Sequence, residues 1–139
     1  MAYETFEHEA DVGVRGIGKT LGEAFEEGAR AMFSVMFEIE RVEPRAEIRV
    51  RCQAQDVESL FVDWLNTLLA EADIQGLALS GFSVRIDGLT LEGTARGERI
   101  DIEKHRPKVE VKGATYTMLK VFEKDGRFVA VGATADVRN

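Results

Sequence analysis

The chain has 139 residues, 45% of them hydrophobic, and a formal net charge of −7 at pH 7. This length fits a single domain over residues 1–139, and the hydrophobic share excludes a disordered chain. No apolar run approaches the roughly 20 residues of a membrane-spanning helix, and we expect neither a signal peptide nor membrane contact. The acidic charge argues against direct tight nucleic-acid binding. The single Cys52 forms no internal disulfide, so a cytoplasmic protein is expected.

The first half of the sequence predicts two strands, each followed by an amphipathic helix. Residues 12–17 alternate apolar with small or polar side chains, as a half-buried strand does. Thr20 and Glu23 then stand at the spacing of a helix-capping box. Residues 46–52 alternate again and place Cys52 on the apolar face, which predicts a core residue and not a reactive thiol. Asp56 can cap the second helix, whose apolar stripe consists of Val57, Leu60, Phe61, Trp64, Leu65, Leu68 and Leu69.

The second half predicts mostly strands joined by tight turns. The dipeptides Asp87-Gly88 and Asp125-Gly126 suit two hairpins. Residues 109–112 alternate and predict a further strand, followed by another over 115–122. The expected fold is α+β, with two amphipathic helices packed on a mixed, mostly antiparallel β-sheet.

Residues 13–20 read Gly-Val-Arg-Gly-Ile-Gly-Lys-Thr and satisfy the pattern of a nucleotide phosphate-binding loop. Three observations argue against that interpretation. The residues between the glycines continue a strand, the chain lacks alternating strands and helices for a parallel sheet, and no apolar run ending in Asp supplies a second magnesium ligand. We therefore interpret Thr20 as a helix cap and Lys19 as an exposed side chain.

Five segments carry recognisable motifs: residues 7–14 with their His-Glu-Ala-Asp sequence, residues 18–25, residues 56–69 with Trp-Leu-Asn, residues 104–116, and the closing Ala-Asp-Val of 135–137. Taken in order, they resemble the archease family. The stretch 104–116, Lys-His-Arg-Pro-Lys-Val-Glu-Val-Lys-Gly-Ala-Thr-Tyr, is the most specific of them. The chain has Thr117 where a histidine often follows the Thr-Tyr pair.

The resemblance implies an accessory protein and not an enzyme. It implies an activator of an RtcB-type RNA ligase in tRNA splicing, which promotes ligase guanylylation and turnover. It also implies a metal site of Asp11 and Asp136, with the Val137 carbonyl as third ligand, and a functional role for Lys112. Such oxygen ligands favour calcium in vitro, with magnesium and manganese as alternatives.

Other interpretations of these residues stay open at the level of sequence. A general chaperone or modulator of nucleic-acid-modifying enzymes is the main alternative function. A metal-dependent hydrolase using Asp11 and Asp136 has no activated nucleophile in the sequence, and no base beyond His8 and His105. Both histidines are expected to be structural. The cations at 104, 106, 108 and 112 are interpreted as a solvated face and not as a phosphate site.

Overall fold

The computed structural model describes residues 2–8 and 11–135, without the side chains of His8, Asp11 and Ala135. Within these ranges a short 3₁₀ turn (Ile39–Arg41) accompanies seven strands and three helices. They are β1 (Ala2–His8), β2 (Asp11–Gly18), α1 (Leu21–Met36), β3 (Ala46–Gln53), α2 (Val57–Gln75), β4 (Leu77–Asp87), β5 (Thr90–Arg99), α3 (Ile102–His105), β6 (Gly113–Lys124) and β7 (Arg127–Ala135).

The strands form two antiparallel sheets, which confirms the α+β class. One sheet has the order β1-β2-β7-β6, and the other has the order β3-β5-β4. Both long helices contact strands of both sheets, so the core lies between the sheets and around α1 and α2. In the described part of the chain, no helix is long and apolar enough to cross a membrane.

The predicted helix caps and hairpins are confirmed, although the β4–β5 turn lies at Gly88-Leu89, one residue later than the predicted Asp87-Gly88. The Thr20 hydroxyl accepts the Glu23 amide at 3.1 Å, and Asp56 accepts the Ser59 amide at 2.7 Å. These side chains satisfy amides that have no partner within the helix. The β6–β7 hairpin turns at Asp125 and Gly126, whose φ angles of 54° and 76° match the turn type that suits two-residue hairpins.

Aromatic side chains fill the centre of the core. Trp64 of α2 is fully buried, and its indole N–H donates to the carbonyl of Phe25 in α1 at 2.9 Å. The Phe25 and Phe61 rings lie 4.9 Å apart. Cys52 is also buried, as predicted, and burial raises the pKa of its thiol. The hydrogen bond of Trp64 joins the two long helices, which have few other contacts with each other.

Strand β2 crosses α1 with almost no space between the two backbones. A Cβ atom on Gly16 would lie 2.1 Å from the Ala24 carbonyl oxygen and 2.3 Å from the Gly28 nitrogen. A Cβ on Gly28 would in turn lie 2.6 Å from the Phe61 ring. Glycine at position 28 therefore leaves room for the Phe61 ring.

Parts of the sequence prediction differ from the structure, among them the short helix α3, which was not predicted. Strand β1 was not predicted, although it forms an edge of the larger sheet. Residues 109–112 are not a strand, apart from one isolated bridge residue at Glu110. This segment crosses the end of α1, where the Lys108 amide donates to the Met36 carbonyl at 2.8 Å. The residues alternate because Val111 is buried while its neighbours are more exposed. The segment forms no extended ladder of backbone hydrogen bonds.

The contact between β2 and α1 generates a stability prediction. We expect Gly16→Ala to lower the free energy of unfolding by about 2–3 kcal/mol, because the added methyl group meets backbone atoms that cannot rotate away. Urea denaturation measures this change. Gly81→Ala is the matched control, since its Cβ would meet only the Arg96 Cβ at 3.7 Å, an ordinary contact. Equal stability of the two variants would contradict the account of the β2–α1 contact.

Candidate functional site

Three strands bring their ends together at one end of the four-stranded sheet. Strand β2 begins at Asp11, and its next residue, Val12, pairs with Thr134 of β7. Strand β6 begins at Gly113, which pairs with Ala135 of β7. The buried Thr134 hydroxyl donates to the Val12 carbonyl at 2.9 Å and so fixes the pairing at this end. We call this region, the start of β2, the end of β7 and the start of β6, the sheet end.

The residues predicted to bind metal belong to the sheet end or directly follow it in sequence. Asp11 is the first residue of β2, but its side chain is not described. Asp136 and Val137 lie outside the described residues, and Asp136 follows Ala135, the last residue of β7. Among the described side chains, no group of three or more His, Cys, Asp or Glu could hold a metal ion. The metal site therefore stays a prediction.

Lys112 lies immediately before β6, next to the sheet end. Its side chain is half exposed, and its ammonium lies 3.6 Å from the Glu110 carboxylate, also exposed. Such a solvated ion pair contributes little stability and leaves the lysine free to find another partner. The predicted position on an alternating strand is wrong, since residues 111 and 112 form no strand.

An asparagine on α2 holds the start of β6. The Asn66 side-chain oxygen accepts the Ala114 amide at 2.8 Å, and the Asn66 side-chain nitrogen donates to the Ala114 carbonyl at 3.2 Å. On an edge strand such as β6, backbone groups that face away from the sheet normally bind water. Asn66 takes the place of water at Ala114. The two hydrogen bonds fix the backbone two residues after Lys112, so the point from which the lysine side chain projects is defined.

A groove of about 630 Å³ lies beside Lys112, between the ends of α1 and α2 and the segment 100–112. Its apolar lining includes Met36, Leu69 and Val111, and its polar lining includes Asp73 and Lys112. Polar and apolar groups line this groove in nearly equal measure.

The segment before Lys112 is held by a buried histidine. His105 is fully buried, and its Nδ1 accepts the Asp101 amide at 3.0 Å. Because Nδ1 is an acceptor, the ring is neutral with its proton on Nε2, which donates to the Glu98 carboxylate at 2.9 Å. The His105 carbonyl accepts the Glu38 amide at 2.9 Å. The predicted structural role of His105 is thus confirmed.

Glu98 collects four donors at the centre of this cluster. Besides His105, they are the Lys104 ammonium at 2.8 Å, the Glu43 amide at 2.9 Å and the Arg45 guanidinium at 3.3 Å. The Lys104 ammonium, followed by the Glu43 amide and the His105 ring, lowers the pKa of Glu98 from 4.5 to about 2. Lys104 also pairs with the Glu43 carboxylate. We call His105, Glu98, Lys104, Glu43 and Arg45 the Glu98 cluster.

Most of the cations at 104, 106, 108 and 112 form ion pairs with carboxylates. Lys104 binds Glu43 and Glu98, while Lys108 lies 3.9 Å from Glu38. Lys112 lies beside Glu110, as described above. The interpretation of this stretch as a solvated, ion-paired face fits these contacts better than a phosphate site does.

The phosphate-loop pattern lies in a strand and a helix cap, as predicted. Residues 13–18 belong to β2, whose backbone pairs with β1 on one side and β7 on the other. Their amides are therefore not arranged as a loop around an anion. Lys19 and Thr20 follow the far end of β2, about 23 Å from Asp11 for a strand of this length.

Two residues that position the site were not predicted from the sequence. Asn66 was noted only as part of a helix motif, and its signal was a polar side chain next to the apolar stripe. Glu98 gave no signal, because its partner Glu43 is 55 residues away in sequence. Its role depends on the tertiary fold.

The Glu98 cluster generates a prediction about acid stability. A carboxyl group whose pKa is lowered on folding stabilises the protein above its unfolded pKa, and this contribution is lost as the pH falls through the folded pKa. We expect the contribution of Glu98 to be complete above about pH 4.5 and lost by about pH 2. The difference in unfolding free energy between wild type and Glu98→Gln should shrink over that window in urea titrations. Glu103→Gln, an exposed site, is the control. A difference independent of pH from 7 to 2 would contradict the proposed ionic role.

Comparison with known sequences identifies relatives over nearly the whole chain. The pattern of the archease protein family matches residues 3–137. Protein archease from Pyrococcus furiosus is 44% identical over 133 residues, which cover 92% of this chain and 94% of that protein. Protein archease from Sulfurisphaera tokodaii is 40% identical over 129 residues, covering 91% and 93%.

Solved structures agree with this assignment. The solution structure of Methanobacterium thermoautotrophicum protein 1598 matches with a TM-score of 0.85 and 39% identity, covering 96% of this chain and 97% of that chain. The crystal structure of an archease, possible chaperone, from Thermotoga maritima shares the fold, with a TM-score of 0.62, 22% identity and 94% coverage of each chain. The chain described here belongs to the archease family.

Proposed function

We propose that this protein activates an RtcB-type RNA ligase in tRNA splicing, by promoting ligase guanylylation and turnover without catalysing a reaction of its own. The sheet end is the observation that carries the proposal. Its register places Asp11 beside the end of β7, which Asp136 follows, and places the start of β6 next to that same end. Lys112 stands one residue before β6. Asp11 and Lys112 are therefore far apart in sequence but both belong to or adjoin the sheet end. Ala135, the residue before Asp136, ends β7 there.

Residues of this kind suit the charge that develops when a phosphoryl group is transferred. An exposed lysine can neutralise a phosphate oxygen, and positioned charge of this sort is the main source of catalysis in such reactions. Asp11, Asp136 and the Val137 carbonyl offer hard oxygen ligands, which fit a divalent cation such as calcium, magnesium or manganese. Such a cation, when bound, would supply positive charge next to nucleotide phosphates. The role of the protein itself is to present these groups to the ligase from a fixed backbone.

The metal site yields a binding prediction. Asp11→Asn and Asp136→Asn should each abolish saturable calcium binding in titration calorimetry, because each replaces a charged ligand with a neutral one. Circular dichroism should stay nearly unchanged, since Asp11 is the first residue of β2 and Asp136 follows the last residue of β7 in sequence. Asp87→Asn, in the exposed β4–β5 hairpin, is the matched control and should bind as wild type does. Undiminished calcium binding in both site variants would rule out the site.

The activation itself yields a kinetic prediction. Single-turnover labelling of the cognate ligase with radioactive GTP should be faster in the presence of the wild-type protein. Asp11→Ala, Lys112→Ala and Asp136→Ala should each reduce the stimulation, on the order of a hundredfold if one charge contact to the transferring group is lost. Lys19→Ala is the control for Lys112→Ala, because Lys19 is an exposed lysine at the other end of β2 and should stimulate normally.

The two parts of this prediction fail separately. Equal labelling rates with wild-type protein and with buffer would contradict the activator function. Stimulation that survives all three substitutions would contradict only the site. Labelling that is unstimulated, together with suppressed aggregation of several unrelated nucleic-acid-modifying enzymes, would favour the alternative function of a general chaperone or modulator.

A further inference from the structure

The four-stranded sheet has an unusual outer face. Neighbouring residues of a strand point to opposite faces. In β2 and β7, Val14, Gly16 and Gly132 face the core, since Gly16 lies against α1 and Gly132 against Phe61. The outward positions of these two strands are Gly13, Arg15, Ile17, Val129, Val131 and Ala133. All but Arg15 are apolar or glycine, whereas the outward face of an antiparallel sheet is normally polar. Val129, Val131 and Ala133 are buried, so the accessible part of this face lies at its edges.

Strand β6 extends this face to the edge of the sheet. Lys120 pairs with Val131, Phe122 with Val129, and Lys124 with Arg127, so these side chains share the outer face. Phe122 is 40% exposed. The apolar outer face thus ends in an accessible aromatic residue.

A wide bulge interrupts β6 close to the sheet end. The register passes from Thr115↔Ala133 to Lys120↔Val131, so four residues of β6 oppose the single Gly132. Within the bulge Met118 has a φ of 58°, a strained conformation for a side chain of this size. Tyr116 and Met118 are 64% and 41% exposed. Bulges and strained residues of this kind cluster at functional surfaces. We call the exposed bulge residues Tyr116 and Met118, together with the outward Lys120, Phe122 and Lys124, the β6 face.

The charge of this region is opposite to that of the chain. Among the described side chains, the outer face carries the cations Arg15, Lys120, Lys124 and Arg127 and the single carboxylate Glu4. Glu4 is ion-paired with Arg15 at 2.6 Å. The whole chain has a net charge of −7. A surface that is apolar and basic on an acidic protein complements a partner that is apolar and acidic.

We propose that the β6 face is the surface on which the protein docks an apolar, acidic patch of its ligase. This inference rests on the proposed function. The strand that carries the surface starts directly after Lys112, so Tyr116 lies about 13 Å further along an extended chain. A ligase bound to the β6 face therefore has the sheet end beside it. Exposed aromatic residues and methionine are enriched in protein interfaces and supply most of the binding free energy there.

A protein partner fits this surface better than RNA does. Binding of single-stranded RNA relies on open aromatic faces on which bases stack. Of the aromatic side chains on the outer face, Phe6 lies against Gly13, where a Cβ would stand 2.2 Å from the ring. The Arg15 guanidinium covers the same ring at 5.2 Å from its centroid. The central positions Val129 and Val131 are aliphatic and buried. Tyr116 and Phe122 are open to base stacking, but the net charge of −7 of the chain disfavours the binding of RNA phosphates.

Two double variants test the apolar and the electrostatic parts of the surface. Tyr116→Ser with Phe122→Ser, and Lys120→Glu with Lys124→Glu, should each weaken binding to the ligase at least about tenfold in titration calorimetry. The apolar control is Ile74→Ser with Ile102→Ser, at residues that are 77% and 74% exposed outside this face. The charge control is Arg49→Glu with Arg85→Glu, on the three-stranded sheet. Both controls should bind within about twofold of wild type.

The outcomes separate this inference from the function on which it rests. Wild-type protein that neither binds nor stimulates the ligase would overturn both. Wild-type stimulation together with full binding by both β6 variants would overturn only the docking surface. If circular dichroism shows that Tyr116→Ser with Phe122→Ser does not fold, binding by the Lys120→Glu with Lys124→Glu variant alone tests the docking surface. Micromolar affinity for a fluorescent single-stranded RNA of about 12 nucleotides, lost in Lys120→Glu with Lys124→Glu while ligase binding persists, would assign the surface to RNA.

Discussion

The antiparallel pairing of β2 with β7 is the interaction on which the rest of the structure depends. It joins residues 12–18 to residues 128–134, two segments from opposite parts of the sequence. On its core face the pair needs glycines, because a Cβ on Gly16 or Gly18 would lie 2.1 or 2.4 Å from atoms of α1. On its outer face it carries small and aliphatic side chains. At one end it brings Asp11 next to the end of β7. The core, the sheet end and the outer face all follow from this one register.

A second constraint delivers Lys112 to the sheet end. Residues 101–112 are not part of a regular sheet, so their path depends on individual contacts. The neutral His105 ring accepts from Asp101 and donates to Glu98, and the Lys108 amide caps the end of α1. Asn66 then fixes Ala114 through two hydrogen bonds. The sequence stretch most specific to the family is thus mostly structural, with Lys112 as the exposed side chain near the sheet end.

Local chemistry made much of the fold predictable. Thr20 and Asp56 were readable as caps and Asp125-Gly126 as a hairpin turn, because these signals act within a few residues. Strand β1 was not predictable from its own pattern, since its partner β2 provides the ladder. Residues 109–112 have the alternating pattern of a strand because Val111 is buried, but their backbone does not form the hydrogen bonds of a sheet. The pairing of the sheet end was beyond sequence spacing, and only resemblance to relatives singled out Asp11, Lys112 and Asp136. Glu98 was missed because its four donors come from two segments, residues 43–45 and 104–105, that only the tertiary fold brings together.

A double-mutant cycle in ligase guanylylation tests the central claim most directly, namely that the sheet end acts as one functional unit. Asp11→Ala, Lys112→Ala and the double variant would be compared in single-turnover labelling of the ligase. Residues that act as a unit give strongly non-additive losses. The double variant should stimulate ligase labelling almost as much as the less active of the two single variants does. A double loss equal to the product of the two single losses, or no stimulation by the wild-type protein, would contradict it.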